Sequence, residues 1–243
     1  MDQGNTLLKA GVFNHHQLIA VYSAKKLSKQ FIDSIVSKHP IDALMLSSVS
    51  NLSEPALQYV KQKGRFLQMH AKIATPIIND YKTPLTLGSD RLANAAGAWQ
   101  LFPKQNSLVL DAGTCLKYDL ITAKGHYKGG AISPGIHMRY RALNRYTSRL
   151  PLVNMQDTMV LTGYDTTSSI VSGVQQGILA EAEYLIAQYR KQYNRLKVII
   201  TGGDGKFFAD RLKSHIFAAP DLTITGLNSI LLHNLKKPKA RIT

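Results

Sequence analysis

The stretch LVLDAGTCLKYD, Leu108–Asp119, decides how the rest of the chain is read. Leu108 to Leu110 are apolar and suit a buried strand, with Asp111 standing at its end. Gly113 follows two residues on, where a backbone without Cβ takes the positive φ of a tight turn. Thr114 adds a hydroxyl beside the freed N–H groups. From Leu116 the alternation returns, with Leu116, Tyr118 and Leu120 on one face and Lys117, Asp119 and Thr122 on the other. The spacing predicts strand, short turn, strand, with a carboxylate and a donor-rich loop at the bend. Backbone N–H groups leaving such a turn make an anion-binding concavity, and a carboxylate beside it can hold a cation. A metal–phosphate ligand suits that pairing.

The same device opens the chain in MDQGNTLLKAGVF. Asp2 matches Asp111, Gly4 matches Gly113, and Asn5 stands where Thr114 stands. Asp and Gly are ordinary turn residues, so either copy alone reads first as a plain hairpin turn. Two copies, each followed by an alternating strand, predict two related half-domains facing each other across a cleft, each supplying one phosphate loop.

Composition sets the bounds. A chain of 243 residues has enough apolar content to bury a full core and form one large or two modest domains. No apolar run approaches the roughly 18 residues of a membrane span. Nothing near the start reads as a secretory leader. The single cysteine, Cys115, excludes an intramolecular disulfide and a zinc cluster, and is expected as a small buried side chain. These features predict a cytoplasmic, reducing setting and no membrane partner. The net charge of +15 draws anions, from nucleotides to nucleic acid. The basic residues are spread out, however, apart from the tail KKPKAR, Lys236–Arg241, which reads as a solvated end. No zinc finger, basic zipper or RNA-binding aromatic motif accompanies them, so no specific nucleic acid is expected.

Periodicity places the remaining elements. Leu27, Phe31, Ile35 and Val36 predict a helix within Ser23–His39, Ala43–Val49 a strand, and Glu54–Lys63 a second helix. Further strand material is expected between Phe66 and Ile78. In YKTPLTLGSDRLANAAGAWQLF, Leu92, Ala95, Ala96 and Trp99 predict a helix beginning at Ser89 or Asp90. Ser89 is a candidate cap and Asp90 suits the helix dipole. The functional alternative puts Asp90 and Arg91 at a cleft mouth, the one accepting a hydroxyl proton and the other pairing with a substrate carboxylate. Gly129, Gly130, Pro134 and Gly135 mark a tight loop before a helix from about Ile136, whose Arg141, Arg145 and Arg149 form a basic stripe. Thr166 and Thr167 read as caps of a helix carrying Ile178, Ala182, Leu185 and Tyr189. Leu196–Thr201 is a strand opening into Gly202-Gly203-Asp204-Gly205, a common approach for nucleotides although the P-loop pattern is absent. A last helix spans about Gly226–Leu235.

Taken in order, DxGNT at Asp2–Thr6, GSDR at Gly88–Arg91, DAGT at Asp111–Thr114, GGAISPG at Gly129–Gly135, TxxSIxSG at Thr166–Gly173 and TGGDG at Thr201–Gly205 resemble a type III pantothenate kinase. The resemblance covers nearly the whole chain. It implies an α/β fold of the actin and sugar-kinase type, with two ribonuclease-H-like domains, each a mixed sheet flanked by helices, around an ATP cleft. The boundary is expected near 104, giving domains 1–104 and 105–243. It also implies ATP-dependent phosphorylation of pantothenate, the first step of coenzyme A biosynthesis, by a homodimer using Mg²⁺ and a monovalent cation, potassium or ammonium. By position, Asp2–Lys9, including Gly4, Asn5 and Thr6, resembles the first ATP-phosphate loop, with Asp2 near magnesium. Gly88, Ser89, Asp90 and Arg91 resemble the pantothenate site, with Asp90 the general base, and Tyr81 and Thr166 resemble further pantothenate contacts. Asp111 resembles the monovalent-cation ligand. Gly113, Thr114, Gly202 and Gly203 resemble further ATP contacts.

The chain departs from that pattern twice. Only Met1 precedes Asp2 where family members carry several apolar residues, and Lys117 stands where they tend to carry a small hydroxyl residue. A lysine there is positioned to reach phosphate or displace a cation. Two other readings remain: a transcription-linked regulatory accessory protein of the same family, supported by the charge, and a different small-molecule kinase or phosphohydrolase of the superfamily.

Overall fold

Each of the two aspartates lies in the first strand of an antiparallel meander, one in each of two units. The computed structural model describes residues 1–4, 6–48 and 54–236, so Asn5 and most of the basic tail lie outside the described residues. Its elements run β1 (Asp2–Gln3), β2 (Leu8–Asn14), β3 (Gln17–Ala24), α1 (Lys29–Val36), β4 (Ala43–Ser48), α2 (Glu54–Lys61), β5 (Arg65–Gln68), β6 (Ile78–Asn79) and α3 (Ser89–Leu101). They continue with β7 (Ser107–Ala112), β8 (Cys115–Ile121), β9 (His126–Pro134), α4 (Ile136–Arg145), α5 (Thr166–Gln192), β10 (Lys197–Thr201), α6 (Gly205–Ala209), β11 (Phe217–Ala218) and α7 (Leu222–Leu235). One unit comprises residues 1–103, 125–128 and 221–243, and the other 104–124 and 129–220.

The first unit holds a sheet ordered β3-β2-β1-β4-β5, antiparallel from β3 to β1 and parallel from β1 to β5. In the second unit β7, β8, β9, β10 and β11 line up as β11-β10-β7-β8-β9. The arrangement is the same: a meander whose first strand takes a parallel neighbour, then a second, on its other side. That repeat is the structural content of the matched aspartates. Asp2 lies opposite Lys9 on the antiparallel side and Ser47 on the parallel side. Asp111 lies opposite Lys117 and Thr201.

Burial explains the patterning. Leu8, Leu27, Ile32, Leu46 and Val60 close one core between sheet and helices. In the second unit β7 is buried along its whole length, and Leu108, Leu110, Leu116, Tyr118, Ile178 and Val198 share one core. Burying an apolar side chain contributes roughly 1.5–3 kcal/mol, so these clusters dominate stability. The polar face expected on β8 is not solvated: Asp119 is fully buried, because covered sheets bury both faces of their inner strands. Helix α7 packs along α3 through a glycine crossing, where a Cβ on Gly97 would meet the Leu222 carbonyl at 2.6 Å and one on Gly226 the Ala93 carbonyl at 1.7 Å. Where β2 and β4 run on beyond β1, a cavity of about 340 Å³ opens beside Met1, lined by Val12, Phe13, Ala43, Leu44 and Ile224 among others. The Met1 amine donates to the Met45 carbonyl at 2.7 Å.

Several local expectations change. The first helix starts only at Lys29, capped by Ser28, because β3 runs on to Ala24. Strand material after Phe66 is confined to β5 and the short β6. Helix α7 begins at Leu222, four residues before the predicted start. Among the described residues, no helix is long and apolar enough to cross a membrane.

Candidate active site

In the first unit the candidate residues converge through one hydroxyl pair. Asp2 opens the short strand β1, and Ser47 is its partner on β4. The Ser47 hydroxyl lies 2.9 Å from that of Ser89, the first residue of α3. Asp2 and the Gly88–Arg91 turn therefore share one end of the sheet. Ser89 does not cap α3: Gly88 holds that position, with no side-chain cap bond, and the Ser89 hydroxyl is spent on Ser47. The carboxylate of Asp90 folds back to accept the Arg91 backbone N–H at 2.9 Å. Glycine at 88 makes room for it, since a Cβ there would stand 2.5 Å from Asp90 Oδ1.

Arg91 is 5% exposed, and its guanidinium carbon lies 5.6 Å from the centre of the Tyr81 ring. Tyr81 leans in turn on Tyr127, with ring centres 6.1 Å apart. Asp80, next to Tyr81, accepts from Lys128 at 2.6 Å and His126 at 2.9 Å, and these hydrogen bonds hold its carboxyl below the usual range. Lys9 of the first loop places its ammonium 3.1 Å from Asp221, just ahead of α7. Gly4 donates its N–H to the Leu7 carbonyl at 3.0 Å, closing the turn that carries the exposed Thr6.

In the second unit three glycine segments meet at the Asp111 turn. The Gly113 N–H donates to the Cys115 carbonyl at 3.1 Å, and the Gly135 N–H to that of Thr114 at 3.1 Å. Asp204, after Gly202 and Gly203, donates its N–H to the Ala112 carbonyl at 2.9 Å. The positive φ expected at Gly113 is found at Gly202 (+92°), whose Cβ would strike the Ala112 carbonyl at 2.3 Å. A Cβ on Gly113 would meet nothing within 4 Å, so that glycine lies beside open space. Thr114 is exposed there, and Cys115 is half-buried rather than fully covered. Asp111 forms a close ion pair with Lys117, Oδ2 to Nζ 2.7 Å, with side chains only 13% and 16% exposed.

Thr166 opens α5. It follows the true cap of α5, Asp165, which forms a capping box with Ser168. Thr166 lines an open apolar groove of about 900 Å³ between α4 and α5, beside Leu143, Tyr146, Leu150 and Ile170. Arg145 ends α4 and Arg149 lies beyond it, so the basic stripe is not continuous on one helix.

Two constellations escaped the sequence reading. Glu181 of α5 accepts from Tyr118 of β8 (3.2 Å), Ser133 of β9 (2.6 Å) and Arg139 of α4. Burial pushes its carboxyl up, but the bonds from Ser133 and Arg139 outweigh that and hold it below the ordinary value. His137 sits 3.3 Å from Asp204, a carboxyl that burial raises against the opposing pull of the imidazole. Neither has a motif, because its members are separated by whole elements. Only the glycines at 135 and 202–203 hinted that those segments approach another backbone closely.

Paired meanders, each with an acidic strand end and a glycine turn, define an α/β protein of the actin and sugar-kinase fold. A ROK family glucokinase from Streptomyces griseus, crystallised with glucose and AMPPNP, superposes with a TM-score of 0.50 at 12% identity over 96% of this chain and 98% of that one. A protein described as a conserved putative Baf family transcriptional activator from Campylobacter jejuni gives a TM-score of 0.60 at 22% identity, covering 97% and 98%. Both likenesses are of fold alone. The family model for type III pantothenate kinase matches residues 1–188, and the chain belongs to that family. A protein named type III pantothenate kinase from Azobacteroides pseudotrichonymphae is 38% identical over 242 residues, 99% of this chain and 98% of the other.

Proposed function

We propose that the chain transfers the γ-phosphoryl group of ATP to the primary hydroxyl of pantothenate, giving 4′-phosphopantothenate and ADP. Family membership supports the reaction class. The observation that carries the assignment of roles is the joining of Asp2 to the Gly88–Arg91 turn through Ser47 and Ser89. It puts Asp2 and Asp90 at one end of one sheet, which supports reading the first as the metal ligand and the second as the base.

Asp90 takes the hydroxyl proton as the oxygen bonds to phosphorus and the bond to the β-phosphate oxygen breaks. Phosphoryl transfer asks mainly for positioning and charge compensation, so one oriented carboxylate suffices as base. Arg91, desolvated and stacked on Tyr81, meets the substrate carboxylate, where a guanidinium gives paired, charge-assisted hydrogen bonds. Thr166 contributes a further pantothenate contact. The first loop, with Gly4, Thr6 and Lys9, and the Gly113–Thr114 turn, with Gly202 and Gly203, bind the ATP phosphates through donors other than the Gly4 and Gly113 N–H groups, which the Leu7 and Cys115 carbonyls occupy. Mg²⁺ is held by one or two carboxylates together with phosphates and waters, so Asp2 as its protein ligand fits the residues present. The ion, when bound, neutralises charge on the transferring group.

A homodimer is supported by the apolar groove along α4 and α5 and by Tyr146, Leu161 and Tyr164 nearby, each more than 80% exposed. Sedimentation at micromolar concentration should return twice the chain mass.

The test of the reaction is ADP release from Mg-ATP with and without pantothenate. Release that requires pantothenate, falling roughly 10²–10⁴-fold in Asp90→Asn with ATP binding and melting retained, is the expected result. Release stimulated by a sugar instead would assign the chain to another kinase of the same fold. A folded Asp90→Asn enzyme of parental activity would reduce Asp90 to a helix-start residue.

A further inference from the structure

A free potassium or ammonium ion on Asp111 is part of what the resemblance implies, and the residues around Asp111 do not fit one. Asp111 and Lys117 are direct cross-strand partners on β7 and β8, so their side chains leave the same face of the sheet side by side. The Lys117 ammonium lies 2.7 Å from Asp111 Oδ2, and both side chains are largely withdrawn from water. A second monovalent cation on that carboxylate would meet a like charge a few ångströms away, where burial leaves little solvent to screen it. Asp119, fully buried two residues further along β8, projects to the same face as Lys117.

We propose that Lys117 is a built-in cation: its ammonium, seated on Asp111 beside the Gly113–Thr114 turn, supplies the positive charge otherwise taken from a free monovalent ion, and the reaction proceeds without one. A primary ammonium carries the same single charge as potassium or ammonium and donates hydrogen bonds to anionic oxygen. Tethered by four methylenes, it is present at a local concentration no dissolved salt reaches, so no ion has to be recruited. The turn beside it is the one whose glycine faces open space. A phosphate at that turn would thus sit close to a fixed cation. Lys117 acts through charge and takes no part in bond making.

The inference rests on the kinase reading for its catalytic arm and stands apart from it in its binding arm. The catalytic arm measures pantothenate-dependent ADP release at constant ionic strength in tetramethylammonium chloride, potassium chloride and ammonium chloride. The parent is expected to turn over equally in all three. Lys117→Met, which keeps the stem and removes the charge, should fall about tenfold or more in tetramethylammonium and recover in potassium or ammonium. Lys117→Arg should stay independent of the salt. A parent stimulated several-fold by potassium overturns the proposal, as does a folded Lys117→Met whose loss no cation repairs.

The binding arm needs no turnover. Melting in potassium chloride against tetramethylammonium chloride should be identical for the parent and shifted upward by potassium for Lys117→Met alone. Potassium-specific stabilisation of the parent, or none in the variant, overturns the built-in cation. Absence of pantothenate-dependent turnover under every condition would count against the kinase reading, while the melting comparison still decides the role of Lys117.

Discussion

At the scale of the residue, Asp90 depends on what its neighbour lacks. Its carboxylate folds over Gly88, within 2.5 Å of where a Cβ would stand. Gly88 itself has an ordinary φ of −58°, so alanine there strains no backbone and only displaces the carboxylate. Gly88→Ala is therefore expected to melt within a degree or two of the parent while turnover drops roughly tenfold or more, since misplacing a catalytic group by about 1 Å costs on that order. Unchanged turnover in a folded Gly88→Ala would show that Asp90 need not sit where the structure puts it. The motif GSDR exposed these residues to inspection in the sequence. The tie between Ser89 and Ser47 was not legible, because the two serines are 42 residues apart and a serine before a helical run reads first as a cap.

At the scale of the element, the polar bridge around Glu181 joins β8, β9, α4 and α5. Its carboxyl lies below the ordinary value in the folded protein, so the unfolded chain takes up protons before the native state does. The resulting stabilisation is complete above the ordinary glutamate pKa of about 4.3 and is lost as pH falls through the native value. Glu181→Gln should melt below the parent at neutral pH, and the gap should narrow as pH drops under about 4.3. A gap that stays constant with pH would deny the charge any part in the bridge. The crossing of α3 and α7 makes a second case. Gly226→Ala drives a Cβ into the Ala93 carbonyl, and overpacking of this kind costs roughly 1–3 kcal/mol. For a chain of this size about 2–4 °C of melting temperature is lost per kcal/mol, measurable by calorimetry. No loss in Gly226→Ala would mean that the helices slide apart freely.

At the scale of the whole molecule, the net charge of +15 is the one feature that favours a nucleic-acid partner over a kinase. A basic surface without a base-reading element binds phosphate backbones alone, and each neutralised phosphate makes the affinity fall with salt. The chain is expected to bind duplex DNA of any sequence weakly at low salt and to lose it near physiological salt, as filter binding across a salt series would record. Tight, sequence-specific binding that survives such salt would favour the regulator.

The sequence by itself determined the repeat and its chemistry. Matched Asp-x-Gly turns before alternating strands announced two hairpins in two related halves, apolar runs located β4, β7 and β10, and six short motifs in order named the family. These are local signals, carried by residues within a turn or two of each other. Tertiary structure alone decided which polar groups face one another. It spent Ser89 on Ser47, moved the left-handed glycine from Gly113 to Gly202, and set Lys117 directly on Asp111. The physical reason is that a strand's register and a buried group's partner are chosen by the elements packed against it, and those lie far away in the chain.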